Sequence, residues 1–344
     1  MTLEAHLEGQ VLSILAITLS VCSVSLNWSF SFYGLTPGPT IPIVALNDAD
    51  GCVSLPLASR RIVSEEEFFM TTQGQAALEG MIFRKTNTHA GRHTSVTPGN
   101  SPMRHLAYGR ILLDSSKSTE SFSTGNRETG LICLSGQAVV AVDQKDTEIG
   151  QYDAIYIPRD SSVVVATKMG VNIAEFSADV ANRYPLQVVR AAEIAKDPGL
   201  KFSTGGPGCT RHLRMLLAKN IAAGRLIAGI TQADPGNWTS WPPHEHAAML
   251  EEIYVYFDMP DPAYGIQLVY NNTEYPELVT VVRDGDAVLI PNGYHPNVSV
   301  PGHRICFLWA MAAHREVADR QFGVVNVQPG FNQGASGLEA GRKN

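Results

Sequence analysis

Charge is scarce along this 344-residue chain: Asp, Glu, Lys and Arg together make up 17%. What charge there is runs acidic, with a formal net value of -7. A broad nucleic-acid surface needs clustered Lys and Arg to displace phosphate counterions, so no nucleic-acid partner is expected. Cysteine is equally thin. Cys22, Cys52, Cys133, Cys209 and Cys306 are odd in number, widely scattered and without a Cys-x-x-Cys pair. That usage suits reduced thiols and a cytoplasmic protein better than a disulfide framework. Long apolar runs are missing too, with one near exception, VLSILAITLSVCSVSL at residues 11–26. It falls short of the roughly 18–20 residues a membrane helix needs. The preceding MTLEAHLEGQ has no Lys or Arg to serve as the basic flank of a secretory signal. Neither a membrane nor an export role is expected. Residues 1–80 read as an extension of unknown role, or as a start placed too early, because the composition turns ordinary at Met81.

What remains is 44% hydrophobic with 30 Gly and 20 Pro, the make-up of a loop-rich globular chain rather than a disordered or collagen-like one. From Met81 onward, short apolar runs alternate with turn residues, as in a sandwich or barrel. LAYGRILLD, GLICLSGQAVVAV, DAIYIP and SVVVAT form a first set. RHLRMLLA, RLIAGITQA, EEIYVYFDM, GIQLVYN, LVTVVRDGDAVLIP and RICFLWAMAA form a second. Between them VRAAEIAKDPGL reads as a short helix stopped by Asp-Pro-Gly. Each set contains a strand that opens at Gly and closes at Pro, Gly150 to Pro158 and Gly285 to Pro291. That echo predicts an internal duplication of one β-fold.

Chemistry concentrates in the second set. Pro242-Pro243-His244-Glu245-His246 puts two imidazoles at i and i+2, which on a strand share one face. Glu251 and Glu252 open the next strand, and Gly293-Tyr294-His295-Pro296 supplies a third imidazole after AVLIP. Imidazoles with one carboxylate form a borderline donor set that suits Zn, Mn, Fe, Ni or Co. Strand parity selects Glu252 as the acid, since 244, 246 and 252 are all even. A count of four residues after His246, the usual cupin spacing, selects Glu251. Glu252 is taken as the ligand and Glu251 kept as its alternative.

PGNWTSWPPHEH, LEEIYVYF, YGIQLVYN and RDGDAVLIPNGYHP strongly resemble the 5-deoxy-glucuronate isomerases of myo-inositol catabolism. These are related to the 4-deoxy-L-threo-5-hexulose-uronate ketol-isomerases of pectin breakdown. The similarity runs from about Met81 to Arg315. It implies an all-β bicupin, two tandem jelly-roll barrels with a few short helices. The divisions expected are an N-terminal barrel at 81–188 without metal ligands, a metal-binding barrel at 189–320 and a tail at 321–344. The resemblance implies His244, His246, Glu252 and His295 as ligands of a divalent ion, zinc first. The N-terminal strand Asn126–Leu131 has no His-x-His, and no His follows Pro158 in that half, so that barrel serves packing and assembly.

The implied reaction is a metal-assisted aldose–ketose isomerisation of a small sugar acid through an enediolate. It needs a group to move a proton between neighbouring carbons. Glu251 (if not a ligand), Tyr294 and a metal-bound hydroxide are the candidates. Arg211, Arg214, Arg225 and Arg283 are candidates for holding the substrate carboxylate. Tyr254 and Tyr256 share the parity of Glu252 and are candidates for lining the pocket. The sequence leaves homo-oligomer formation open. The chain departs from its relatives at Phe307–Ala313, where an expected Asn is absent, and in the closing segment FGVVNVQPGFNQ. These departures keep three rivals open: the pectin-derived keto-uronate as substrate, a non-catalytic sugar-acid-binding cupin, and a metal-dependent dioxygenase.

Overall fold

The computed structural model describes residues 80–331 and the backbone of two short strands near the start. Residues Met1–Val63 and Ser64–Asn344 form two compact units. In the first, Glu4–Leu7 pairs antiparallel with Gln10–Ser13; the rest of the expected extension, and residues 332–344 of the expected tail, lie outside the described residues. No helix among the described residues is long and apolar enough to cross a membrane.

Residues 80–331 are nearly all β. Where a few short helices were expected, the single complete helix among them is Ala191–Ile194. The strands form a duplicated pair of two-sheet barrels. In the N-terminal barrel the larger sheet centres on Arg127–Gly136, flanked by Ala154–Ile157 and Val171–Asp179. In the C-terminal barrel Leu250–Tyr256 holds the same place between Ala287–Ile290 and Cys306–Ala313. The Gly-to-Pro echo falls on these matching neighbours. Thr129 pairs with Ile157 just before Pro158, and Glu252 pairs with Ile290 just before Pro291. Thr129 and Glu252 are therefore equivalent positions of the duplicated fold.

Two edges cross between the halves. Gln187–Val189 pairs with Ala154–Tyr156 and closes the N-terminal sheet. Ile82–Phe83, which opens the first half in sequence, instead pairs with Ala287–Val288 of the second. The next residues hold it there, with Arg84 Nη1 2.7 Å from Asp286 and the Thr86 N–H donating to the Gly285 carbonyl.

The two barrel interiors differ in kind. That of the N-terminal barrel is largely aliphatic, built on Ile111, Leu131, Val140, Ile155, Val163 and Ile173, with Cys133 among them and the Arg92–Glu175 ion pair beside Leu131. It is a packed core, of the kind that short strands such as AVVAV and SVVVA produce by alternating buried and half-buried positions. Leu250–Tyr256 shows no such alternation, because all seven residues are buried. One face lines its own barrel and the other packs against the N-terminal half, so both faces lie in cores. At the same seam Gly130 has no room for a side chain: a Cβ there would sit 2.5 Å from Leu217 Cδ1.

Candidate metal centre

Polar side chains fill one end of the C-terminal barrel. His244–Glu245 and Leu250–Tyr256 bring His244, His246 and Glu252 to its mouth, and the turn after Ala287–Ile290 delivers His295. That turn depends on Gly293, whose φ of 92° is left-handed and whose missing Cβ would lie 3.0 Å from the Tyr270 carbonyl. One donor atom each from His246, Glu252 and His295 lie within 4.8 Å of one another, and all three residues are buried. The Glu252 Oε2 stands 3.1 Å from His246 Nε2 and 3.2 Å from His295 Nε2. His244 stands at the rim of this trio, partly exposed, its ring 4.9 Å from that of His295 and 6.3 Å from that of His246.

All three rings are oriented the same way. Nδ1 of His244 donates to the Pro242 carbonyl at 2.8 Å, that of His246 to Leu250 at 3.1 Å and that of His295 to Gly293 at 2.8 Å. A carbonyl only accepts, so each Nδ1 carries the hydrogen and each neutral Nε2 presents a lone pair. His295 Nε2 is buried without a hydrogen-bond partner. Lone pairs facing a carboxylate oxygen at these distances require a cation between them or a proton on the ring. This is the donor set and orientation that fit a divalent metal. In cation-free protein, a proton on His246 takes that place. Burial works against the charge on Glu252, but the neighbouring His246 and His295 imidazoles outweigh it and bring its pKa down to about 2. Burial likewise opposes the His246 imidazolium, and Glu252 outweighs that burial and raises its pKa. Desolvation and the neighbouring His295 hold the His244 pKa down to about 3.

His244, His246 and Glu252 line a cavity with about 80 Å³ open to water-sized atoms. Arg211 and Tyr254 line it, and so does Ser240, which the sequence reading did not single out. Arg211 is buried, donating to the Trp241 carbonyl at 2.7 Å and to that of Cys209 at 3.2 Å. The Tyr254 ring leans on His295 with centroids 5.8 Å apart, and its hydroxyl lies 2.6 Å from Ser240 Oγ. Burial and then Glu252 raise the Tyr254 phenol well above its ordinary pKa, so it stays a neutral donor. Ser240 holds a left-handed φ of 50°, a strain of about 1–3 kcal/mol for a residue with a Cβ.

The remaining candidates lie elsewhere. Both oxygens of Glu251 are taken up by backbone N–H groups of Arg104, His105 and Leu106, at 2.7, 2.8 and 2.7 Å, on the opposite face of the strand from Glu252. Tyr294 is bridged to Tyr270 outside the cavity. Arg214 turns outward, its guanidinium 4.9 Å over the Tyr152 ring, and Arg283 is exposed beside Tyr264. Arg225 binds the Asp179, Ala313 and His314 carbonyls. Tyr256 lies deeper, donating at 2.5 Å to Gln267, whose amide in turn supports the His295 carbonyl at 3.0 Å.

The segment after residue 321 is part of the site. Phe322, Gly323, Val324 and Val325 line the cavity, and Asn326–Val327 pairs with Glu245 and His244. Phe322 stacks on Trp309 at 5.1 Å, and Phe331 packs edge-on against Trp241.

The sequence of residues 81–324 matches the model of the KduI/IolB family. The chain belongs to that family. One relative, the 5-deoxy-glucuronate isomerase of Geobacillus thermodenitrificans, is 25% identical over 240 residues, covering 64% of this chain and 85% of its own. The 4-deoxy-L-threo-5-hexosulose-uronate ketol-isomerase of Opitutus terrae is 28% identical over 231 residues, covering 64% and 77%. An IolB-like protein from Salmonella typhimurium superposes with a TM-score of 0.64 at 19% identity, over 73% of this chain and 98% of that one. At that identity the superposition shows the fold, a bicupin. KduI/IolB relatives bearing these names are isomerases, and the family match takes in the residues lining the C-terminal cavity up to Val324.

Proposed function

We propose that this KduI/IolB protein is an aldose–ketose isomerase acting on 5-deoxy-glucuronate and forming 5-dehydro-2-deoxy-gluconate, in the cytoplasm and in inositol catabolism. The observation that carries the reading is the meeting of His246, Glu252 and His295 donor atoms beside a cavity that His244, His246, Glu252 and Arg211 line. His244, His246, Glu252 and His295 would hold a divalent cation, zinc first and manganese, iron, nickel or cobalt as alternatives, supplying Lewis acidity toward the substrate carbonyl. Arg211 neutralises the substrate carboxylate at the far wall of the same cavity. Tyr254 stays protonated and, oriented by Ser240, donates to a substrate oxygen that gains charge as the neighbouring carbon loses its proton. Burial of these groups beneath the 322–325 segment keeps water from competing for those donors.

The experiment follows 5-deoxy-glucuronate by NMR while the metal content of the purified protein is measured. Conversion of the aldehyde to a ketone with its new methylene is expected, together with loss of both metal and turnover in His295→Ala. Full turnover in that variant overturns the reading. A second reading, isomerisation of the 4-deoxy-5-keto-uronate, is supported by a relative of that name matching at the same 28% identity as a 5-deoxy-glucuronate isomerase. The same assay with that substrate separates the two.

A further inference from the structure

Glu251 has a counterpart in the other half that also takes up three consecutive backbone N–H groups, with the Tyr156 hydroxyl as a further donor at 2.5 Å. Glu128, on the equivalent N-terminal strand, accepts the backbone N–H groups of Gly224, Arg225 and Leu226 at 2.8, 2.6 and 2.8 Å. Glu251 accepts those of Arg104, His105 and Leu106. Sheet register makes the two donor segments equivalent. Met311, which pairs with Glu252, also pairs with Ile227; Ser177, which pairs with Thr129, also pairs with Ala107. Each donor triplet thus ends one residue before those matched positions. Each half extends one fully buried carboxylate to the start of a central strand in the other, and the two ties are related by the duplication.

The pair differs in what stands on the other face. The residue after Glu128 is Thr129, a barrel wall; the residue after Glu251 is Glu252, the acid of the cation site. Neighbours on a strand point to opposite faces and share one peptide unit. Any shift of the Glu251 carboxylate toward or away from its three donors therefore moves the Cα that carries Glu252. We propose that Glu251 is a positioning residue, through which residues 104–106 of the N-terminal half fix Glu252 for cation binding. Glu128 makes the same tie for packing alone. This rests on the cation reading above. It also gives the metal-free half a task in the chemistry of the other half.

The full chain, freed of metal, is titrated with Zn²⁺ against a chromophoric chelator, and its melting temperature without metal is recorded alongside. Glu251→Gln and Glu128→Gln each leave N–H groups facing an amide that can satisfy fewer of them. Both variants should melt earlier, but only Glu251→Gln should bind Zn²⁺ more weakly, by tenfold or more. Glu251→Asp and Glu128→Asp repeat the comparison with the charge retained if the glutamine variants do not fold. Equal affinities across each pair, or equal losses, overturn the proposal while leaving the cation site intact. Absence of Zn²⁺ binding by the wild-type chain overturns the site reading itself, and the positioning role with it.

Discussion

Glu252 and its imidazole partners make the cation-free protein sensitive to acid in a defined direction. Its carboxyl titrates at about 2 in the folded chain against 4.5 for an ordinary Glu. The unfolded chain therefore takes up the proton first, and the stability this group contributes, complete above 4.5, is lost as pH falls toward 2. Urea midpoints of metal-free protein should show wild type and Glu252→Gln converging across that window. A constant difference between them would contradict the assignment. Arg211→Met should raise KM for a carboxylate substrate by about tenfold or more, the worth of a charge-assisted contact, with a smaller change in metal content. Strand parity explains how much of the site could be read from single residues. It placed Glu252 inward, and applied to Arg211–Leu217 it separates Arg211 and Leu213, which line the cavity, from Arg214, which faces out. It could not separate Tyr254 from Tyr256, which share a face but differ in depth, nor place Tyr294 and Arg283, which lie in turns where parity lapses. Ser240 left no sequence signal, because its role comes from a backbone conformation that many residues could fill.

Among the elements, the strands were legible because Val- and Ile-rich runs broken by Gly and Pro have few other ways to fold. The Gly-to-Pro echo located two equivalent strands on the strength of their turns. The segment after 321 was legible only as a departure from relatives, since a two-residue strand pairing with His244–Glu245 has too little pattern to announce itself. Its contribution can be measured at Phe322, which lies between the site and a neighbouring cavity lined by Leu200, Met215 and Arg320. Phe322→Ala should join the two spaces and raise KM several-fold. Because the ring is only half-buried, the stability cost should be about 1–2 kcal/mol rather than the 3–5 of a fully enclosed Phe. An unchanged KM would show that this wall does not touch substrate.

Across the described residues, duplication has produced two barrels with one architecture and different interiors, one largely aliphatic, the other carrying a polar cavity. The absence of histidine pairs made that asymmetry visible in sequence. The reciprocal carboxylate ties were not visible, since Glu128 sits in a stretch with no chemical motif and its partners are backbone amides 96 to 98 positions away. Nor was the exchange of edges, because a two-residue strand gives no sign of choosing a partner about two hundred positions away over one nearby.

That exchange has a consequence for how the chain is made. Ile82–Phe83 leaves the ribosome long before Ala287–Val288, so the first barrel can complete itself while its own leading segment waits for a sheet not yet synthesised. With Ile82 and Phe83 both replaced by Asp, the full chain would carry Ala287–Ile290 as a bare rim with its backbone groups open to any passing strand. It should self-associate on size-exclusion chromatography, and a synthetic peptide spanning residues 80–90 should return it to the monomer.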